Sequence, residues 1–212
     1  MYKKCPTLLF LLFLSIGCTA QDRADGLLQK CILLLEKSNG IQAKFTSTLR
    51  FSSGEENSSS GEIYLKKERF KIVTPRSISW FDGTTLWSYV SLNEEVTISE
   101  PTTEELNEMN PYALISNYKQ KYTAHYQGEE VLHQEKTYCI KLVPQDMESD
   151  FSSIKVYLTV KDLQPLSITS RLKNGDNGTI SIDTFHATEK LSNAFFHFPT
   201  KEYPTAELID MR

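Results

Sequence analysis

The side chains able to do chemistry are few and scattered. The four histidines are His125, His133, His186 and His197, and none falls in an H-E-x-x-H or H-x-H pattern that would bring two imidazoles to one metal. His125 and His133 flank one expected hairpin and can approach each other, yet the pair reads as surface imidazoles rather than a metal site. The cysteines, Cys5, Cys18, Cys31 and Cys139, show no zinc-type spacing. No G-x-S-x-G elbow, Walker loop or G-x-G-x-x-G turn occurs. Asp82 precedes Gly83 and is explained by a turn, and Glu104-Glu105 favours the start of a helix. The expectation is a protein without metal or cofactor that is not an enzyme.

Composition narrows the rest. The chain has 212 residues, with 23 Lys+Arg against 27 Asp+Glu and a net charge of −4. That balance argues against a duplex nucleic-acid binder, which needs a basic face, and no run of four Lys/Arg exists to form a polybasic arm. With 40% hydrophobic and 24% charged residues, the chain reads as an ordinary globular one of a single domain.

Residues 1–20 are expected to lie outside that domain, which then covers 21–212. Lys3 and Lys4 precede the apolar run Leu8–Leu14, and small residues follow through Gly17, Cys18 and Ala20. This is the anatomy of an export signal, too short to span a bilayer. Cleavage after Ala20 competes with lipidation of Cys18 in Ser15-Ile16-Gly17-Cys18. Two cysteines remain in the exported chain, Cys31 in a helical pattern and Cys139 in a strand pattern. A disulfide and two buried thiols are both open.

The elements follow from periodicity. Leu27, Leu28, Cys31, Ile32, Leu34 and Leu35 repeat at helical spacing over 22–38, and Ser38-Asn39-Gly40 ends the run. The period then changes to two, and strands are expected at 41–49, 62–73, 77–81, 85–91, 96–99, 122–127, 137–143, 153–160, 166–172 and 179–187. The stretch 52–60 reads as a polar loop and 127–130 as a turn. Between strands, Thr102 to Lys121 forms two short helices separated at Pro111. The fold class is mainly β with α (α+β): a long, curved antiparallel sheet with an N-terminal helix and a short helical insertion that could cover it. Such a sheet either encloses an apolar cavity or packs its side chains into a filled core.

Specific motifs add a resemblance. Phe81-Asp82-Gly83-Thr84-Thr85-Leu86-Trp87-Ser88-Tyr89, Gly61-Glu62-Ile63-Tyr64-Leu65-Lys66-Lys67, Asn110-Pro111-Tyr112-Ala113-Leu114-Ile115 and Phe196-His197-Phe198-Pro199 are four such motifs. Together with the leading helix and Asn39–Phe45, they resemble the outer-membrane lipoprotein carrier protein (LolA) family. The resemblance implies an incomplete, curved antiparallel β-barrel whose short helical lid encloses an apolar cavity, and a periplasmic carrier that shields the acyl chains of lipoproteins; a monomer is the expectation for a carrier that must diffuse. By the same resemblance an inner-membrane ABC transporter loads it and an outer-membrane acceptor unloads it. A carrier of another lipid or acylated molecule, or a lipid-sensing envelope-stress regulator of related fold, are the alternatives.

The family's lid-locking Arg falls at Lys67, with Arg69 the nearest guanidinium, and Phe70 falls where the family keeps a lipid-facing aromatic. Tyr112, Leu114 and Ile115 fall on the lid. Strand parity supplies the other expected lining residues: Ile41, Ala43, Phe45, Ile63, Leu65, Ile72, Leu86, Val90, Ile140, Leu142, Val156 and Leu158. The change from odd to even between Leu65 and Phe70 predicts a bulge near Lys67. Trp80, Trp87 and Tyr89 are expected to support the outer face or an interface.

Overall fold

A computed structural model of the protein describes residues 16–188 and 191–212. The export signal expected at 1–20 therefore lies largely outside the described residues. Helix α1 (Ile16–Lys37) leads into twelve strands. These are β1 (Ile41–Arg50), β2 (Glu56–Lys66), β3 (Arg69–Val73), β4 (Ser77–Phe81), β5 (Leu86–Val90) and β6 (Glu95–Ser99). After helices α2 (Thr103–Met109) and α3 (Pro111–Lys121) come β7 (Tyr122–Leu132), β8 (Glu135–Pro144), β9 (Phe151–Thr159), β10 (Pro165–Leu172), β11 (Asn177–Ala187) and β12 (Glu207–Asp210).

All twelve strands form one sheet in the order β12-β6-β5-β4-β3-β2-β1-β11-β10-β9-β8-β7. Neighbours are antiparallel except β12, which lies parallel to β6. The sheet is curved and open, with β12 and β7 as its two ends. The β1–β11 pairing joins the strands that precede the lid helices to those that follow them, and there Ile41 meets Ala187 and Arg50 meets Asn177. Gly61 permits the sheet to close up beside β1. A Cβ there would stand 2.6 Å from the Val73 carbonyl oxygen and 2.7 Å from the Phe45 ring.

The expected single strand over 62–73 is two strands. Lys67 and Glu68 form a two-residue turn with Lys67 at φ +55°, and Leu65 pairs with Phe70. Residues directly opposite each other in an antiparallel pair share a face. Because 65 and 70 are partners, a tight turn switches the apolar parity, and no bulge is needed. The expected loop over 52–60 also shortens, since β2 begins at Glu56 and pairs with Arg50.

A third correction concerns β7. Strand pairing continues through the expected turn at 127–130, with a bulge between Tyr126 and Gly128. The reversal falls at His133-Gln134, both left-handed at φ +51° and +67°. His125 thus sits within the strand and His133 at its tip, roughly 25 Å of strand apart. They do not approach each other.

The sheet carries packing on both faces. On the concave side, α1 and α3 cover the apolar rows, with α1 running along β7. On the convex side, the segment after Leu191 makes two short 3-10 turns, Asn193–Phe196 and Thr200–Glu202, before joining β6 as β12. Phe198 and Tyr203 close over Trp80, with ring centroids at 5.4 and 5.8 Å. Val96, Trp87, Tyr89 and Ile98 complete this second cluster. The outer-face placement of Trp80, Trp87 and Tyr89 agrees with it.

Cys31 and Cys139 are both buried and both free. Cys31 faces the concave core from α1, whereas Cys139 sits opposite Tyr157 on the strand face turned away from Ile140 and Val156. The sheet separates the two sulfurs. Burial pushes the Cys31 thiol up to about 12 and raises that of Cys139.

Candidate functional site

The hollow is built from rows that run across the strands. Ile41, Leu65, Phe70, Phe81 and Leu86 are successive partners from β1 to β5, and all are buried. Ala43, Ile63 and Ile72 form the next row. In the other half, Tyr126, Ile140, Val156 and Ile168 line up across β7 to β10, beside Ala124, Leu142 and Ile154. Into this concavity α1 inserts Leu28, Cys31, Ile32 and Leu35, and α3 inserts Ile115 and Tyr118.

Of the lining residues expected from the sequence, Ile41, Ala43, Ile63, Leu65, Phe70, Leu86, Ile115, Ile140, Leu142, Val156 and Leu158 are buried in this concave cluster. Phe45, Ile72, Tyr112 and Leu114 pack against it half-buried. Val90 is the exception and stays 40% exposed. Its parity matches Leu86, but it ends β5 opposite Ser77 and Glu95, outside the cluster that the helices cover. Parity gives the face of a strand and not the distance along it.

Five members of the rows, Phe81, Ala124, Tyr126, Ile154 and Ile168, escaped the sequence reading. Phe81 shares no parity with Ile78 and Trp80, which dominate β4 from the other face. Ile154 has the parity of Val156 and Leu158, so a signal was available. Ile168 shares its parity with Leu166 and Leu172, so alternation offered a signal there as well.

The centre of the hollow is packed, and space remains where the helices stop. A cavity of about 880 Å³ opens between α2–α3 and one end of β1, β8, β9, β10 and β11. Leu49, Leu114, Tyr122, Phe151, Ile154, Ile168 and Ile180 supply its apolar wall. A second space, about 670 Å³, lies beneath the lid between Ile32, Phe70, Phe81, Leu106 and Tyr112. It adjoins a polar recess of about 560 Å³ lined by Glu36, Lys67, Glu68, Arg69, Asp82 and Tyr112. Phe70, Tyr112 and Leu114 thus border open space, while the more central residues meet helix α1.

The lid is positioned by its caps and by two tethers. Thr102 and Glu105 form a reciprocal capping box at the start of α2. The Asn110 side chain accepts from the Tyr112 N–H at the start of α3. Asn117 donates to Asn107 at 3.0 Å, and Lys121 bonds Glu104, so α2 is tied to α3. The α3 helix is tied to α1 in turn: Tyr118 donates to Asp25 at 2.6 Å, and Lys119 lies 3.7 Å from the other carboxylate oxygen. Burial, then the Asp25 hydrogen bond, raises the Tyr118 phenol above its ordinary range.

Lys67 and Arg69 gather at the lid's edge, beside Tyr112. The Arg69 Nε donates to the Asp82 carbonyl oxygen at 2.8 Å, so it buttresses the β4–β5 turn. That turn is held further by the Asp82 carboxylate, which accepts from the Thr84 and Thr85 N–H groups at 2.9 Å each. Gly83 supplies the positive φ of +105°.

An open half-barrel with helices laid in its concavity and a partly apolar space beneath them defines a ligand-holding scaffold. The chain belongs to the outer membrane lipoprotein carrier protein LolA family, whose model matches residues 15–176. No curated protein matches it in sequence. Among solved structures, an uncharacterized conserved protein from Thermus thermophilus is similar at 14% identity and a TM-score of 0.62, over 89% of this chain and 99% of that one. A DUF1329 family protein from Desulfovibrio piger has 14% identity and a TM-score of 0.51, over 84% and 97% of the two chains. A LolA superfamily protein from Nitrosomonas europaea has 10% identity and a TM-score of 0.47, over 82% and 97%. At such identities the likeness concerns the fold alone.

Proposed function

We propose that this protein is a non-enzymatic periplasmic carrier that takes the acyl chains of lipoproteins into its hollow and passes them from the inner to the outer membrane. The observation that carries this reading is the 880 Å³ cavity walled by Leu114, Phe151, Ile154, Ile168 and Ile180 beneath the lid helices. Each exposed CH₂ of an acyl chain costs about 0.8 kcal/mol in water, so chains need such a wall to cross an aqueous space. Family membership supports the same cargo class.

The carrier diffuses as a monomer between an inner-membrane ABC transporter and an outer-membrane acceptor. The export signal at residues 1–20 delivers it there, by cleavage after Ala20 or with a lipid on Cys18. Loading requires the lid to move, because α3 fills part of the concavity that chains would occupy. Lys67 and Arg69 flank that lid, and Phe70 lines the space under it.

The test is a release assay. Protein lacking residues 1–20 is incubated with spheroplasts, and newly made lipoproteins are sought in the soluble fraction. Soluble lipoprotein in complex with the added carrier is the expected result. Folded protein that releases none overturns the lipoprotein assignment. Phe70→Glu, folded, is expected to lose release.

A further inference from the structure

The mouth of the large cavity carries a charge pattern that its walls do not explain. Glu104 from α2 and Asp146, Glu148 and Asp150 from the β8–β9 loop surround an opening onto the apolar wall of Leu114, Phe151, Ile154 and Ile168. All four are exposed. The cations at the rim are fewer: Lys121 bonds Glu104 and Lys173 bonds the carbonyl of Met147, so four carboxylates face two ammonium groups. Asp146 uses one oxygen to accept the Glu148 N–H, which shapes the loop and leaves its charge at the rim. The recess at Lys67 and Arg69 is more nearly balanced, with those two cations beside Glu36, Glu68 and Asp82.

From this juxtaposition of an apolar wall and an acidic rim, we infer that the cavity selects acyl chains borne on neutral or cationic groups and rejects those on anionic heads. A chain that enters leaves its polar end at the mouth. An anionic head there meets three carboxylates that have no ion-pair partner among the described residues, whereas an ammonium is attracted to them. Discrimination of this kind separates an acylated polypeptide from the anionic phospholipids that surround it. The inference rests on the carrier reading and adds its specificity.

The experiment uses three twelve-carbon amphiphiles below their micelle concentrations: dodecyltrimethylammonium, dodecyl maltoside and dodecyl phosphate. Each displaces the neutral probe N-phenyl-1-naphthylamine from protein lacking residues 1–20. The ammonium compound is expected to bind about tenfold more tightly than the phosphate at low salt, a gap that closes as salt is added. The triple variant Asp146→Asn, Glu148→Gln, Asp150→Asn is expected to lose the gap while keeping its maltoside affinity and its melting temperature. Equal binding of the two charged compounds, with the maltoside bound, overturns the rim's role and leaves the carrier reading intact. Failure of all three to bind overturns the use of the cavity itself.

Discussion

Tyr118 on α3 donates its hydroxyl to Asp25 on α1 at 2.6 Å, across the top of the concave core. This bond, with Lys119 on the other Asp25 oxygen, makes α1 the anchor of the lid. The α2 helix is tethered through Asn107–Asn117 and Glu104–Lys121, and so reaches α1 by way of α3. Tyr118→Phe keeps the ring in its buried place and removes the bond. The expected loss is about 1–2 kcal/mol in urea unfolding, since hydrogen bonds to charged groups contribute roughly 1.5–3 and Asp25 can turn to water. Amide exchange along α3 should accelerate, with the β1–β3 amides unaffected. Uniform acceleration would show that the bond supports the whole fold and does not act as a lid anchor.

Alkaline pH should act first through the buried thiols: that of Cys139 is also raised, and that of Cys31 is raised furthest. The folded Cys31 thiol is raised from the ordinary 9.0 to about 12 by burial, so above pH 9 the unfolded chain loses a proton that the folded chain keeps. Stability therefore falls with rising pH, at up to ~1.4 kcal/mol per pH unit between about 9 and 12. Tyr64 and Tyr157, each raised to about 12, join from pH 10 upward. Cys31→Ala should be somewhat less stable at pH 7 and should flatten the fall between pH 9 and 10. An unchanged slope in that interval would remove Cys31 as its origin.

Val90 and Val156 share a residue type and an expected role but not a fate. Val156 is fully buried between Ile140 and Ile168, whereas Val90 stands exposed at the end of β5. Val156→Ala should cost about 1–3 kcal/mol through lost burial and a residual void. Val90→Thr should stay within about 0.5 kcal/mol. Chemical denaturation of both variants decides this, and a costly Val90→Thr would extend the concave core to the end of β5.

Phe198 holds the C-terminal segment to the convex face. Its ring meets Trp80 at 5.4 Å and Tyr203 at 5.3 Å, and β12 adds backbone pairing to β6 beyond it. Phe198→Ala should cost about 3–5 kcal/mol, the range for a buried Phe. The near-UV circular dichroism of Trp80 should weaken and β12 amides should exchange freely, while amphiphile binding in the concave cavity persists. Loss of binding together with these changes would mean that the two faces are coupled.

The amino-acid order by itself determined the local elements and the faces they present. Leu28, Cys31, Ile32 and Leu35 recur at helical spacing, and β1 alternates from Ile41 to Phe45, because period alone dictates which side chains share a side. Asp82-Gly83 likewise specified its turn, since a short carboxylate and a residue free to take positive φ satisfy it. The curved antiparallel sheet and most of its concave rows followed from these local rules, and the motif resemblance supplied the half-barrel. Tertiary structure decided whatever depended on distance along a strand or on a partner remote in sequence. Val90 has the right parity in the wrong place, the Lys67–Glu68 turn explains a parity change that a bulge would also explain, and Cys139 faces away from Cys31 across the sheet. Where helices α1 and α3 lie against the sheet, and therefore where the cavity opens and the acidic loop 146–150 meets it, is set by long-range packing that no local window contains.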